Sequence, residues 1–409
     1  MNDIRAALII GGGIAGPVAA IALQKAGIEA TVYEAYPGTA DGVGGMLTLA
    51  PNGLDALHLL GADEAVRAVG LPMNRMVIAD GRGRSIGVIP GLDGLPPSVA
   101  MSRPDLYRCL QDEAVTRGLR IERGKRLTGV DETEHGIIAR FADGSTAAGD
   151  VLIGADGTHS TVRALIDPAA SGPWHVPLLN FGAVAEVAVA AEPDTTYFMF
   201  GRRAFLGYWG QPDGTTAWFS NLPYPQPMTP AEARRQSASD WLEVLREAYA
   251  DDTPAAELLR HTSADQLIAL GSVEIMPTLR HWHRGRMVLI GDAVHAPSPS
   301  SGQGASLAIE SAIQLARCLR DIPDLPTAFA SYAELRRSRV EKVAARAAKT
   351  NNSKALGPAA ITMMRLLMPL ATRTFLTPEK TLGLEQRYRI DWDARVAVDT
   401  VPPVRRSER

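Results

Sequence analysis

Gly11-Gly12-Gly13-Ile14-Ala15-Gly16 directly follows the apolar run Ala6–Ile10 in this chain of 409 residues. A short apolar run that ends at glycine is typical of a parallel strand buried on both faces. We predict that Pro17 occupies the first position of a helix, that Gly27 caps its far end, and that residues 30–34 form a second strand. The stretch therefore predicts a βαβ unit of the dinucleotide-binding kind.

The residue types in this turn suit a bound diphosphate. Gly11 permits a tight turn, Gly13 lets the backbone approach the phosphates, and Gly16 lets the helix pack close to the strand. The helix N-terminus offers N–H groups and a partial positive charge. Glu34 ends the second strand at the spacing expected for an acidic side chain that binds a ribose hydroxyl. We predict cofactor contacts at Gly11, Gly13, Ala15, Gly16, Glu34 and Ala35.

A second motif near residue 290 indicates which dinucleotide binds. The apolar run Met287-Val288-Leu289-Ile290 predicts a buried strand that delivers Gly291-Asp292 at its carboxyl end. The Asp292 carboxylate can accept hydrogen bonds from ribityl hydroxyls, and the N-terminus of a helix predicted from Gly304 suits the negative charge of a reduced flavin. Glycines keep the backbone bare, so that a planar ring can lie against it. The two motifs together predict one FAD, held at this end by Asp292, Pro299, Gly302, Gly304 and Ala305.

Residues 177–273 differ in character from the sequence on either side. Alternating, aromatic-rich stretches at 182–190, 195–200, 205–209 and 215–221 predict an antiparallel sheet inserted into the nucleotide-binding fold. Because side chains alternate between the two faces of a strand, about half of them can face a cavity. We predict substrate contacts at Arg203, Phe205, Tyr208 and Trp218.

Composition limits the classes of function. The chain has a net charge of −3, which favours binding neither to nucleic acid nor to an anionic membrane surface. Its two cysteines favour neither a disulfide framework nor a metal site. Residues 355–376 are apolar, but prolines and arginines interrupt them, which predicts a helix docked on the body rather than a membrane span. We expect a cytoplasmic protein, monomeric or homodimeric, without stable membrane insertion and without a nucleic-acid partner.

A third motif lies between the other two. Asp156-Gly157 follows a predicted strand, and Arg163 lies in the helix predicted after it. In this order the three motifs resemble those of the single-component (class A) FAD-dependent monooxygenases of the p-hydroxybenzoate hydroxylase fold, nearest the salicylate-hydroxylase-like and the tetracycline- and polyketide-modifying members. The resemblance implies that Gly45 lies in a loop beside the flavin and that Arg103, at a helix start, contacts the flavin. It also implies a backbone contact of Leu127 with adenine and a cofactor contact of Asp156 in the D-G motif.

The resemblance implies the fold class. It is α/β, with a Rossmann-like (GR2-type) FAD-binding domain, an inserted antiparallel-sheet substrate domain and a C-terminal helix. We expect the FAD-binding domain to comprise residues 1–72, 101–176 and 274–325, the substrate-binding domain 73–100 and 177–273, and the C-terminal helical segment 326–409. The substrate is expected between the flavin and the inserted sheet.

The resemblance also implies the activity. NADPH or NADH would reduce the FAD, O2 would add as a flavin C4a-hydroperoxide, and one oxygen atom would pass to an aromatic or polycyclic small molecule, with hydroxylation as the leading outcome. The flavin supplies the reactivity, so no catalytic side chain is predicted. Epoxidation, N-oxidation and Baeyer–Villiger oxidation stay open. Two alternatives on the same fold are a prenyl-reductase-like FAD oxidoreductase that inserts no oxygen and a flavin-containing protein that sequesters a ligand.

Overall fold

The computed structural model describes residues 4–38, 44–351, 363, 367 and 377–397. Its strands in chain order are β1 (Ala6–Ile10), β2 (Glu29–Glu34), β3 (Met46–Leu49), β4 (Leu71–Met73), β5 (Arg75–Asp80), β6 (Ser85–Pro90), β7 (Ser98–Ser102), β8 (Arg120–Arg123), β9 (Leu127–Glu132), β10 (Ile137–Phe141), β11 (Thr146–Gly149), β12 (Val151–Gly154), β13 (Trp174–Ala185), β14 (Thr195–Phe200), β15 (Phe205–Gly210), β16 (Thr216–Pro223), β17 (Ile268–Ile275), β18 (His283–Arg284) and β19 (Met287–Leu289). Its helices are α1 (Ala15–Lys25), α2 (Pro51–His58), α3 (Asp63–Val69), α4 (Arg103–Thr116), α5 (Thr161–Ile166), α6 (Pro230–Ala233), α7 (Ala238–Ala248), α8 (Ala255–Arg260), α9 (Asp292–His295), α10 (Gly304–Asp321), α11 (Leu325–Asn351) and α12 (Leu384–Gln386).

The first large sheet is built around the predicted βαβ unit. Its strand order is β18-β19-β12-β1-β2-β8, and each neighbouring pair is parallel except β18 with β19. β1 lies inside the sheet because its residues are apolar and almost all buried. The βαβ unit is confirmed, although α1 begins at Ala15 rather than at Pro17. Pro17 still lies in the first turn, where a missing N–H breaks no helical hydrogen bond.

The second large sheet is formed mainly by the aromatic-rich region. Its order is β17-β13-β16-β15-β14-β5-β6, and among these neighbours β14 and β5 alone pair in parallel. The predicted inserted antiparallel sheet is therefore confirmed. Its first strand was placed wrongly, because β13 covers Trp174–Ala185 and not 182–190. After Ala185 the chain turns, and the Val187 N–H donates to the Ala185 carbonyl.

The two faces of this second sheet have different neighbours. On one side, which we call the helix face, α7 packs over a buried cluster that includes Phe181, Trp218 and Trp241. On the other side, which we call the open face, Val184 and Phe219 pack against residues of a small sheet with the order β3-β7-β4. This small sheet therefore lies next to the open face.

The predicted division into domains follows the sheets in part. The strands of the first large sheet lie within the segments expected to bind FAD. Those of the second lie within 73–100 and 177–273, apart from the outer ends of β13 and β17. The domain boundaries themselves stay a prediction.

The last part of the described chain packs against α10 and α11. Arginines of these two helices donate to backbone carbonyls of residues 377–397: Arg317 to Ala394 at 2.6 Å, Arg320 to Trp392 at 2.8 Å, and Arg339 to Glu385 at 2.8 Å. The helix predicted over 355–376 lies outside the described residues, apart from 363 and 367, so its docking stays a prediction. Across the described ranges, no helix combines the length and apolarity needed to cross a membrane.

Gly16 occupies a position where no side chain fits. A Cβ there would overlap the Gly11 carbonyl oxygen, whereas a Cβ at Gly13 would meet the Tyr107 ring at an ordinary 3.9 Å. We expect Gly16→Ala to lower the free energy of unfolding by about 1–3 kcal/mol, the usual cost of overpacking. Thermal unfolding of the purified protein measures this loss. Gly13→Ala is the matched control and should unfold near the wild-type temperature; an equal loss in both variants would contradict the packing argument.

Candidate functional site

The first glycine motif forms a turn at the carboxyl end of β1. Gly11 has a φ of +109°, and a Cβ there would overlap the backbone of Ala155, which follows β12. The Gly11 N–H donates to the Tyr33 carbonyl at 2.9 Å, which ties the turn to β2. The first turn of α1 has neither a side-chain cap nor an acidic residue. Its N–H groups can therefore receive an anion such as a phosphate.

The Glu34 carboxylate lies beside this turn. One oxygen accepts from the Gly12 N–H at 2.6 Å, and the other accepts from the Tyr36 N–H at 2.9 Å. The Lys125 N–H donates to the Glu34 carbonyl at 2.8 Å, which brings the start of β9 to this edge of the sheet. The structure thus brings together the residues predicted for this end of the cofactor: Gly11, Gly13, Ala15, Gly16, Glu34, Ala35 and Leu127. Their contacts with a cofactor stay predictions.

Two residues that the sequence analysis missed support the same turn. Gln111 in α4 donates from Nε2 to the Gly12 carbonyl at 2.5 Å, and Arg123 in β8 donates from Nη2 to Gln111 Oε1 at 2.6 Å. Gln111 is buried, so an unpaired amide there would destabilise the fold. No local signal marks this contact, because Gln111 and Gly12 are 99 residues apart in the chain.

The D-G motif acts as a helix cap after β12. Asp156 Oδ1 accepts from the Ser160 hydroxyl at 2.5 Å, and Oδ2 accepts from two backbone N–H groups of α5 at 2.8 and 3.1 Å. Burial raises the pKa of Asp156, although these hydrogen bonds oppose the shift. Arg163 of α5 donates to the Ala293 carbonyl at 3.1 Å and so joins this motif to the G-D motif. A contact between Asp156 and the cofactor stays a prediction.

The first and last motifs meet in space. The Ile290 N–H donates to the Gly154 carbonyl at 2.9 Å, which continues the pairing of β19 with β12. Gly291 then has a φ of +60°, and a Cβ there would lie 3.0 Å from the Ala15 Cβ at the start of α1 and 3.4 Å from the Ala308 Cβ in α10. Two turns that are far apart in sequence therefore form one site.

Arg103 and Asp292 form the other end of this site. Arg103 Nη2 lies 3.6 Å from Asp292 Oδ2, and the side chains are 42% and 32% exposed, so both can reach a ligand. The Arg103 N–H donates to the Gly45 carbonyl at 2.9 Å, and its guanidinium lies 5.3 Å from the centre of the Tyr107 ring. The surrounding protein excludes enough water to raise the pKa of Asp292, although the Arg103 charge opposes this shift.

The Pro- and Gly-rich segment leads into a second helix N-terminus. Pro299–Ser301 forms a 3₁₀ turn, Gly302 follows it, and α10 begins at Gly304. The first turn of α10, which includes Ala305, has neither a side-chain cap nor an acidic residue. It therefore presents N–H groups and a partial positive charge, close to the Gly291-Asp292 turn.

The open face of the second sheet approaches this end of the site. A Cβ at Gly182 would lie 3.8 Å from the Gly45 Cα. A cavity of about 410 Å³ is lined by both glycines and by Met46, Ser102 and Ile268, among others. A small molecule can therefore lie in this cavity, beside the contact between the Gly45 loop and β13.

Aromatic rings cover the open face beside Gly182. Phe219 pairs with Gly182 across β16 and β13, and its ring lies over Gly207 of β15. The ring centres of Phe198 and Phe205 each lie 6.1 Å from that of Phe219. Phe205 was predicted, and its contact with substrate stays a prediction. Phe219 was missed, although its place in the alternating run opposite a bare glycine could have indicated it.

Three residues predicted to contact substrate lie away from the open face, and their contacts with substrate stay predictions. Tyr208 and Trp218 are register partners on the helix face, and Trp218 Nε1 donates to Thr262 Oγ1 at 3.0 Å. Arg203 donates from Nη1 to a backbone carbonyl of α7 at 3.0 Å. All three side chains therefore point away from the open face. Alternation separates the residues of a strand into two sets, but it does not tell which set a helix will cover.

His295 in α9 is buried beside Ser311. Its Nε2 lies 2.7 Å from Ser311 Oγ, and burial, then the charge of Arg336, lower its pKa to about 3. The ring is therefore neutral and supports the turn after Gly291. Within the ranges that the structure describes, no group of His, Cys, Asp and Glu side chains could hold a metal ion.

The residues present fit FAD. The α1 N-terminus suits the pyrophosphate, Glu34 a ribose hydroxyl, and Asp292 the ribityl chain, while the α10 N-terminus suits the electron-rich edge of a reduced flavin. The Gly45 loop lines a cavity beside these groups. The donor and acceptor groups thus match the cofactor along its length.

Comparisons with known proteins agree with this arrangement. A family model described as FAD binding domain matches residues 5–347. The chain is 30% identical to the aurachin C monooxygenase/isomerase of Stigmatella aurantiaca over 337 residues, which covers 80% of this chain and 84% of that protein. It is also 30% identical to the FAD-dependent urate hydroxylase of Klebsiella pneumoniae over 352 residues, covering 84% and 88%.

A solved structure shows the same fold. The crystal structure of Klebsiella pneumoniae HpxO complexed with FAD and uric acid has a TM-score of 0.80 to this chain at 24% identity. The match covers 94% of this chain and 98% of that one. The α/β fold class predicted from the sequence is confirmed.

Glu34 provides a test of the adenosine end of the site. We expect Glu34→Ala to weaken FAD binding by roughly tenfold to a hundredfold, because a hydrogen bond to a charged group contributes about 1.5–3 kcal/mol. Titration of the apoprotein with FAD, followed by quenching of flavin fluorescence, measures the dissociation constant. Glu29→Ala, at the exposed start of the same strand, is the control and should bind as wild type. Wild-type affinity in the Glu34 variant would show that this carboxylate is misassigned.

Proposed function

This chain belongs to the FAD binding domain family, together with FAD-dependent monooxygenases, and on that premise we propose that it hydroxylates an aromatic or polycyclic small molecule. NADPH or NADH supplies the electrons and O2 supplies the inserted oxygen atom. The single observation that carries the proposal is the meeting of Gly291 with Ala15. It supports one cofactor that extends from the α1 N-terminus to the α10 N-terminus.

The residues of the chain bind and orient the reactants. When bound, FAD supplies the electron transfer and the activation of oxygen. Glu34, Asp292 and the two helix N-termini hold it by hydrogen bonds and positive potential. Arg103 carries a fixed positive charge beside Asp292. The apolar rings of the open face exclude water from the substrate side, which limits side reactions of activated oxygen.

We place the substrate on the open face, in the cavity that Gly182 and the Gly45 loop both line. Phe205 and Phe219 lie on that face, and packing of a planar ring against them is favourable. The relative named for urate hydroxylation also takes a planar ring system, by its name. Gly182 carries no side chain, so the Gly45 loop can approach β13 at the edge of this cavity.

The names of the relatives favour oxygen insertion over the two alternatives. An oxygen-independent reductase and a sequestering flavoprotein would use the same fold, but the curated relatives are a monooxygenase/isomerase and a hydroxylase. We propose hydroxylation in place of epoxidation, N-oxidation or Baeyer–Villiger oxidation on the same ground. We further propose a cytoplasmic location and a monomer or homodimer.

The proposed function is tested by the absorption spectrum of the protein, by rates of nicotinamide oxidation and by labelling of the product with 18O2. We expect the purified protein to show flavin absorption, and a panel of phenols, quinolones and tetracyclic compounds to accelerate NADPH or NADH oxidation in air. With 18O2, the product should carry one labelled oxygen atom. Product formation without O2 would support the reductase instead. Ligand binding without faster oxidation of either nicotinamide would support the sequestering protein.

The two faces of the second sheet provide a sharper test. Phe219→Ala removes a ring from the open face and should raise KM for the substrate by roughly tenfold, because an aromatic pair and its buried area contribute about 1–3 kcal/mol. Trp218→Phe, one residue away on the helix face, should lower the melting temperature and leave KM unchanged. Steady-state kinetics and thermal unfolding of both variants measure this. If KM rises only in the Trp218 variant, the substrate binds on the helix face and our placement is wrong.

A further inference from the structure

A buried charge cluster lies between α2, α10 and α11. Glu310 of α10 accepts two hydrogen bonds from Arg339 of α11, at 2.7 and 2.8 Å, and its Oε2 lies 2.8 Å from Arg336 Nη1. Asn52 of α2 donates from Nδ2 to Glu310 Oε1 at 2.7 Å. The side chains of Glu310 and Arg336 are fully buried, and that of Arg339 is 11% exposed. We call these four residues the α10 cluster.

The α10 cluster carries one more positive charge than negative. Burial alone would raise the pKa of Glu310, but the charge of Arg336 and the hydrogen bonds from Arg339 lower it, so the carboxylate is ionised. His295 is neutral and adds no charge. Arg339 also donates to the backbone carbonyl of Glu385. The side-chain carboxylate of Glu385 is paired with Arg346. Two guanidinium groups therefore face one carboxylate.

The α10 cluster is connected to the segment that leads into α10. Asn52 also donates from Nδ2 to Gln303 Oε1 at 2.9 Å. Gln303 directly precedes Gly304, the first residue of α10. The Gln303 N–H donates to Ser301 Oγ at 3.0 Å. Arg336 Nη2 donates to the Leu307 carbonyl at 3.2 Å. The cluster thus holds the 3₁₀ turn, the helix start and the first turns of α10 in one arrangement.

Stability alone does not explain this arrangement. Removing two arginines and a carboxylate from water has a large cost, and apolar residues of similar volume are often equally stable or better. A buried charge is screened little by solvent and salt, and it adds to the partial positive charge of the α10 N-terminus. Both favour the negatively charged, reduced form of a flavin bound there.

We propose that Arg336 and Arg339, acting through Glu310, Asn52 and Gln303, are positioning residues that fix the start of α10 and place a surplus positive charge behind it, so that the bound flavin is easier to reduce. The proposal rests on the FAD site described under the proposed function. The arginines touch neither cofactor nor substrate. They act through the helix and the loop that carry Pro299, Gly302 and Gly304.

The test is a pair of charge changes with opposite expected signs. Arg339→Gln removes the surplus charge and should weaken the preference for reduced over oxidised flavin about tenfold, which lowers the two-electron potential by ~30 mV. Glu310→Gln adds to the surplus and should raise the potential by a similar amount. Potentials are measured on the holoprotein by equilibration with reference dyes. A merely structural role would weaken FAD binding in both variants without opposite shifts.

Arg346→Lys is the control for the change at Arg339, because it alters a contact of α11 with the 379–386 region but keeps the charge that neutralises Glu385. Both arginines lie on α11 and both donate to the 379–386 region, but Arg346 pairs with Glu385 and does not contact Glu310. We expect it to retain the wild-type potential. An equal shift in the Arg339 and Arg346 variants, or shifts of one sign at Arg339 and Glu310, would overturn the proposal. A wild-type protein that takes up no FAD would instead defeat the proposed function.

If Glu310→Gln does not fold, the comparison of Arg339→Gln with Arg346→Lys decides the proposal. Arg339 keeps some solvent exposure, and glutamine can still donate to Glu310, so this variant is expected to fold. Thermal unfolding of the apoprotein checks this before the potentials are measured. An unchanged potential in a folded, FAD-loaded Arg339 variant contradicts the proposal.

Discussion

The packing of strand-to-helix turns at one edge of the first sheet is the constraint on which the rest of the structure depends. Parallel pairing places the carboxyl ends of β1, β12 and β19 side by side, so the residues after each strand compete for the same space. A Cβ at Gly11 would overlap Ala155, and one at Gly291 would lie 3.0 Å from Ala15. Residues without bulky side chains are required there because the three turns pack closely together.

Local motifs made much of this edge predictable. The turns at Gly11, Asp156 and Gly291 each follow an apolar strand, and the chemistry of such a turn is contained within a few residues. The residues that support the turns were not predictable in this way. Gln111 and Arg123 reach the first turn from α4 and β8, and Asn52 reaches Gln303 across 251 residues. No period or motif encodes such contacts, because they arise only when helices pack.

The second sheet shows a different limit. Alternation places Phe205 and Tyr208 on opposite faces, yet substrate contacts were predicted for both, because the choice between the two faces depends on where α7 and α8 pack. Trp218 and Tyr208 are large and aromatic, as a ligand-binding residue often is, yet they form the core under those helices. The sheet therefore divides its aromatic residues between two faces, one packed under the helices and the other beside the small sheet β3-β7-β4.

The contacts of α10 and α11 with residues 385–394 have a consequence for biosynthesis. A ribosome exposes the first glycine motif early, and N-terminal parts of a chain generally fold first. Arg317, Arg320 and Arg339 donate hydrogen bonds to the backbone carbonyls of Ala394, Trp392 and Glu385. These three residues are translated long after α10. The helix that faces the flavin thus gains its last supports only when these residues emerge. We therefore expect FAD to bind stably only after these residues have emerged, although the glycine turn after β1 is complete much earlier.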